Sequence, residues 1–482
     1  MAADPSTAGL TSKLARFSSQ HDDITVLTAT LDTESFDTLR PIFVNPHANP
    51  LAIIRPSTIE AVSATVSFLA SNKIPFTVRV GGHDMHGRSV EDGGVVLDLR
   101  LLNHVVINKS GSEAECGKTV TARIGGGILI GDLLSALEPH GLVTPVGTVS
   151  GVGYLGWAMH GGYGPYSSAF GLGVDQIVAA KVVDATGSVL NADGELLKGI
   201  KGAGGAFGVV VEAVIRVYEL DSIFAGTLVF NSQDFATAIR TFSNAYRALT
   251  LTETIPPTLN IFSGILPSPQ SPAPIFILLV NWASPDLSKG KEWIEKIATL
   301  IPSAAATLAA NTVQKTTPRA CTEAVSRLVA PSVQGRMYSV SFREITDEVA
   351  GVIAHFTSAE RMPRDEAVLF EIHELRAVSP SANPDKSSVF SAREPHSVVA
   401  VGAIAAHEEN LEGVLKWGGE FLAALKRTKS ENILPASYIS FLSKEEMERD
   451  QERIFGGHMP FLRDLKRRLD PGNVFQAAIS GL

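Results

Sequence analysis

RVGGHDMHGRS (Arg79–Ser89) and GTVSGVGYLGWAMHGGYG (Gly147–Gly164) decide how this chain reads. With IGGG (Ile124–Gly127) and GAGGAFG (Gly202–Gly208) they place four glycine clusters between residues 79 and 208. Such loops expose backbone N–H groups without Cβ obstruction, which suits a large, phosphate-rich ligand held in backbone nests. Turns in an all-β region use glycine as well, so glycine chemistry alone leaves both readings open.

Outward from these clusters, short strands and helices alternate. NPLAIIRPSTIEAVSATVSFLASNKIPFTVRVGG (Asn49–Gly82) reads as strand, helix and strand, with a Ser57-x-x-Glu60 capping signal and Val62, Val66 and Leu69 on one helical face. VVLDL, HVVIN and VTARI are strands, and ILIGDLLSALEPHG is a helix closed by Gly141. IVAAKVVDATGSVLNA turns as a hairpin at Asp184–Gly187. From about 221 to 430 glycine clusters become rare, and long helical patterns such as DFATAIRTFSNAYRAL alternate with strands such as PIFILLVNW and AVLFEIHEL. This predicts a second, α+β domain. The last fifty or so residues, 431–482, return to a helix, FLRDLKRRLD, and a Pro-Gly turn.

Composition sets outer limits. The 482 residues are 45% hydrophobic and 19% charged, which is globular, and at roughly 150 residues per domain they allow two or three domains. No run approaches the roughly 18 uncharged apolar residues of a spanning helix. A net charge of −9 and the absence of a basic block before Lys466 argue against nucleic-acid or anionic-membrane partners. Two cysteines, Cys116 and Cys321, supply neither a disulfide framework nor a zinc cluster, and no metal site is expected. The opening MAADPSTAGLTSKLARFSSQ lacks an apolar h-region, so a cytoplasmic location is expected and the sequon at Asn108–Ser110 is read as idle.

Two nucleotide motifs fail on context. GVGYLG (Gly151–Gly156) fits G-x-G-x-x-G with Asp175 beyond it, yet WAMHGGYGPY follows at once, and no stable helix is expected to start there. GSEAECGKT has the wrong spacing for a P-loop and carries two glutamates that would repel phosphate.

Four segments in order, RVGGHDMHGRS, VGTVSGVGYLGWAMHGGYG, KGAGGAFGVVV and DPGNVF, resemble the landmarks of the berberine-bridge-enzyme-like branch of the vanillyl-alcohol-oxidase flavoproteins. The resemblance implies an α+β fold: a two-subdomain FAD-binding domain of the PCMH type over residues 1–220 (core about 46–220), completed by 431–482, and a substrate domain on an antiparallel sheet over 221–430. It also implies FAD extended between the two subdomains. Arg79, Val80, Gly81, Gly82, His83, Asp84 and Ser89 would line pyrophosphate and flavin, with His83 linked covalently to the flavin 8α-methyl. Gly147, Thr148, Gly153, Gly161, Gly162 and Gly164 would pack beside the dinucleotide. Gly208 and Val210 would offer backbone contacts, and Asn473 with Phe475 would close the flavin edge. Relatives often carry GTC where this chain has Gly147-Thr148-Val149, so one covalent bond is expected instead of two. They also often carry Tyr-x-Asn-Tyr where this chain has Tyr438-Ile-Ser440-Phe441, which leaves the asparagine's role without a counterpart.

A flavin accepts hydride at N5, so a base must take the proton from the attached oxygen or nitrogen. Strand alternation in VLFEIHEL puts Glu371 and His373 on one face, the best acid/base pair in the second domain; a solvated strand face would produce the same pattern. Tyr438 and Tyr166 are further candidates, Tyr166 reading more naturally as packing, and Arg393 and His396 could orient a substrate or simply lie on the surface. The sequence therefore points to an FAD-dependent oxidase of a small-molecule alcohol, phenol, amine or polycyclic secondary metabolite, with O2 as acceptor. A dehydrogenase with another acceptor and a flavoprotein cyclase without net redox turnover stay open beside it.

Overall fold

In the first sheet, strands Ala52–Pro56 and Val95–Asp98 are buried along nearly their whole length and accordingly central. A computed structural model describes residues 5–44, 48–108, 120–232, 234–268, 271, 273–330, 332–383, 385–435 and 438–482. Cys116, the P-loop-like segment and all of the Asn108 sequon beyond its asparagine lie outside them. The first sheet runs Ile24–Leu27, Ala52–Pro56, Val95–Asp98, Phe76–Arg79, with the first strand antiparallel and the other three mutually parallel. Helix Ile59–Ser71 joins two of these strands and buries Val62, Val66 and Leu69, as its periodicity predicts. Its cap is Thr58, whose side chain accepts from Ala61 N at 3.0 Å, and not Ser57, whose hydroxyl donates to the Asp23 carbonyl.

The second sheet is antiparallel, in the order Val105–Asn108, Thr121–Gly125, Val209–Arg216, Ile177–Val183, Val189–Asn191. Its Val209 and Val211 share a core with Ile54 and Leu97 of the first sheet. The hairpin turns at Gly187, with φ of 88°.

The third sheet has eight antiparallel strands, running Thr307–Asn311, Ile223–Asn231, Ile275–Trp282, Leu259–Leu266, Leu369–Leu375, His396–Ala405, Gln334–Phe342, with Gln314–Thr316 also on Ile223–Asn231. Helices Phe235–Thr252, Leu287–Ala298, Asp347–Phe356 and Leu411–Lys426 cover one face, where Leu228, Leu278, Phe370 and Val401 meet Phe242, Ile297, Ile353 and Phe421. The alternation of each strand leaves the other face toward the glycine loops.

The C-terminal helix Met459–Leu469 packs on the fourth glycine cluster. Buried Lys466 donates to Ala206 O at 2.9 Å and to Asp470 at 2.8 Å, and Asp470 in turn accepts from the N–H groups of Val474 and Phe475. One buried ion pair thus fixes where Phe475 sits. Among the described residues no helix is long and apolar enough to cross a membrane.

Candidate active site

A cleft of about 1390 Å³ runs between the glycine loops and the open face of the large sheet. Its first wall begins where strand Phe76–Arg79 ends, at the carboxyl end of a parallel strand, the usual place for a ligand site in such sheets. There the chain turns through Gly82 (φ 67°) and Gly87 (φ 74°). A Cβ on Gly81 would strike the backbone of Gly151 and Gly153, so only glycine lets the two long loops touch.

Val80, Gly81, Gly82, His83, Asp84 and Ser89 all line the cleft. The His83 ring stacks on Phe43 at 4.9 Å and 15°, and burial pushes its pKa down to about 4, so the imidazole is neutral at pH 7. Asp84 accepts from His86 N and Arg88 N and pairs with the Arg88 side chain at 2.6–2.7 Å, so its carboxylate shapes the loop and aims Arg88. Arg79 does not line the cleft. Its guanidinium, 2% exposed, binds buried Asp98 through Nε at 2.9 Å and Nη2 at 2.7 Å, with Arg100 on the same carboxylate.

In the second loop, Gly147, Thr148, Gly153 and Gly164 line the cleft, while Gly161 and Gly162 stand behind it against Phe390 and Gly173. The expectation that no helix starts here is corrected: Tyr154–Ala158 forms one helical turn, which Gly161 (φ 120°) and Gly162 (φ 79°) then end. Gly208, Val210 and Phe475 complete this wall, Phe475 meeting Phe76 edge-on at 6.0 Å. Asn473 is exposed and takes the left-handed conformation (φ 50°) in the turn after the last helix, outside the cleft.

Sequence reasoning missed three features. Arg88 brings a cation to the cleft. His160 donates through Nδ1 to Gly156 O at 2.9 Å, while its Nε2 is buried without a hydrogen-bond partner, and burial pushes its pKa to about 4. Gly156 and Gly205 leave open space where a side chain would intrude into the cleft. A cation, an orphaned buried polar atom and a glycine-lined cradle fit an extended, anionic dinucleotide.

The opposite wall carries the candidate acid/base groups. His373 Nε2 lies 3.0 Å from Glu371 Oε1, and both face the cleft. Tyr438 completes the corner with Tyr163, Phe262 and Phe441: its ring meets Tyr163 at 5.0 Å and Phe441 at 4.8 Å, both edge-on, and Phe262 meets His373 at 4.8 Å. Burial, with Glu371 nearby adding to it, pushes the Tyr438 phenol up to about 12. Ser440 and Val149 also line the cleft. Tyr166, 1% exposed, packs in the core. Arg393 is no surface residue; it is buried and clamps Asp175 with Nη1 at 2.6 Å and Nη2 at 2.9 Å, so the acid of the failed dinucleotide motif is spent on an ion pair. Among the described residues no group of three His, Cys, Asp or Glu side chains could hold a metal ion.

Comparison with known proteins agrees with this geometry. Residues 50–193 match the FAD binding domain family. The FAD-linked oxidoreductase aurO of Gibberella zeae is 28% identical over 89% of this chain and 80% of its own length. Among solved structures, 6-hydroxy-D-nicotine oxidase from Arthrobacter nicotinovorans superposes with a TM-score of 0.79 at 22% identity, covering 94% of this chain and 96% of its own. The BBE-like 1 protein of Physcomitrella patens gives 0.78 at 17% identity, over 97% and 99%. Glucooligosaccharide oxidase from Acremonium strictum, described with a 6-S-cysteinyl, 8α-N1-histidyl FAD, gives 0.78 at 19% identity, over 97% and 99%. The chain carries an FAD binding domain, shares the fold of the berberine-bridge-enzyme-like flavoenzymes, and is an FAD-linked oxidoreductase.

Proposed function

We propose that this FAD-linked oxidoreductase is an oxidase that removes a hydride from a carbon bearing a hydroxyl or amino group on a small molecule, with O2 as the final acceptor. The observation that carries the reading is that His83 and the Glu371–His373–Tyr438 corner face one continuous cleft. FAD, when bound, supplies the hydride acceptor at N5. The residues' task is to hold the substrate and take its proton. In the tautomer that places the proton on Nε2, His373 donates to Glu371 and keeps a lone pair on Nδ1. Tyr438, held as a neutral phenol, donates a hydrogen bond and does not act as an anion at neutral pH.

His83 is the proposed point of covalent attachment. Burial keeps its ring neutral, so a nitrogen lone pair is available as the nucleophile. Val149 offers no sulfur for a second bond, and Cys321, whose thiol burial pushes up to about 11, is a poor nucleophile. A single histidyl linkage follows.

The test is to reduce the purified protein anaerobically and admit air. Reoxidation within seconds is expected of an oxidase. Reoxidation over minutes or longer would replace O2 with another acceptor, and conversion of a substrate without bleaching of the flavin would favour the cyclase.

A further inference from the structure

The register of the large sheet fixes what lies beside Glu371. Gly264 stands opposite Glu371, Ile277 opposite Gly264, and Val229 opposite Ile277, so these four residues form one row across the cleft face. Gly264 contributes no side chain, and Ile277 leans over it: a Cβ there would lie 3.1 Å from Ile277 Cγ1. In the adjacent row Phe262 pairs with Leu279, and the Phe262 ring touches His373. Beside the acid/base corner, the floor is therefore aliphatic at Ile277, Val229 and Leu279. Polar side chains return at its border, where Thr227 pairs with Leu279, Asn260 pairs with Asn281, and Gln314 also lines the cleft. Leu328, 78% exposed, carries the apolar lining to the rim of the cleft.

A sugar chain is a poor match to this floor. Its hydroxyls point outward on all sides, and each one buried on Ile277 or Leu279 without a partner weakens binding by at least about fivefold. A hydrocarbon body gains instead, by about fourfold per methylene removed from water. We infer that the substrate has one polar end, a hydroxyl- or amine-bearing carbon at Glu371–His373, and an aromatic or aliphatic body lying on Phe262, Leu279, Ile277 and Val229. Oligosaccharides are expected to bind this floor more weakly than such a molecule. The inference rests on the proposed acid/base corner for its polar end, while the shape of the floor is independent of the reaction.

The experiment is calorimetric titration of the flavin-loaded protein with para-alkylphenols from methyl to pentyl, and with cellobiose. The dissociation constant is expected to fall about fourfold with each methylene, and cellobiose to give no binding heat at the same concentrations. A dissociation constant independent of chain length, or tighter binding of cellobiose, overturns the inference. The double substitution Ile277→Thr with Leu279→Thr is expected to flatten the chain-length dependence while leaving the flavin spectrum intact. If the dependence survives it, the alkyl chain lies elsewhere and the inference fails. Should the double variant not fold, the isosteric Val229→Thr serves the same purpose with a smaller flattening. A normal chain-length dependence in a protein whose flavin no substrate reduces would fail the proposed reaction and leave the binding surface standing.

Discussion

The Tyr163 hydroxyl donates to His396 Nε2 at 2.7 Å, tying the second glycine loop to the eight-stranded sheet. His396 Nδ1 lies 2.7 Å from Glu394 O and donates to it, so the ring must be neutral for Nε2 to accept. Both residues are 3% exposed.

Burial pushes the His396 pKa from 6.5 to about 4. Between these values the unfolded chain binds a proton that the folded chain refuses, so stability rises with pH through this window. The contribution is complete above the unfolded value and is lost as pH falls toward 4, on the order of 3 kcal/mol in all. Urea unfolding of wild type and His396→Gln across that range should show the variant losing less stability on acidification. Parallel curves would remove His396 from this account.

Asp98, fully buried, accepts from Arg79 and Arg100, with Arg55 at 3.6 Å. It anchors the strand from which the His83 loop springs. Asp98→Asn leaves buried cations without their anion and is expected to cost about 3–5 kcal/mol. The unfolding midpoint in urea reads this directly. Flavin content should fall in parallel, because the loop loses its base.

His83→Ala tests the attachment. Wild-type protein precipitated with acid should carry yellow flavin into the pellet, and the variant should release it to the supernatant. Flavin that stays in the pellet of His83→Ala would assign the bond to another residue. The neutral His160, which also lines the cleft, is one alternative, and His86 in the first loop is another.

Much of this was legible in the sequence for a physical reason. Glycine is required where backbones touch, as Gly81 meets Gly151, and such positions cluster visibly along the chain. Strand alternation likewise put Glu371 and His373 together before any coordinates. Arg79, Arg393 and Asp98 show what sequence conceals. Arg79 beside a glycine motif looks like a ligand contact and Arg393 like a substrate-orienting or surface residue, and only tertiary structure reveals the carboxylates, Asp98 and Asp175, that take their charges. His160 was invisible because its signal is an absent partner, a property of three-dimensional surroundings.

Glu371→Gln separates the two candidate bases. The amide preserves the shape and can still hydrogen-bond His373, but it holds no charge and cannot accept a proton. If the Glu371–His373 pair takes the substrate proton, the rate of flavin reduction should fall by about 10²–10⁴-fold, the usual range for a lost general base. Flavin content should not change, because the pair stands on the sheet and not on the glycine loops. Tyr438→Phe removes a hydroxyl that burial keeps protonated up to about 12, so its effect should be smaller and independent of pH near neutrality. Stopped-flow reduction with any substrate that bleaches the wild-type flavin decides the matter. A silent Glu371→Gln beside an inactive Tyr438→Phe would transfer the base to the phenol.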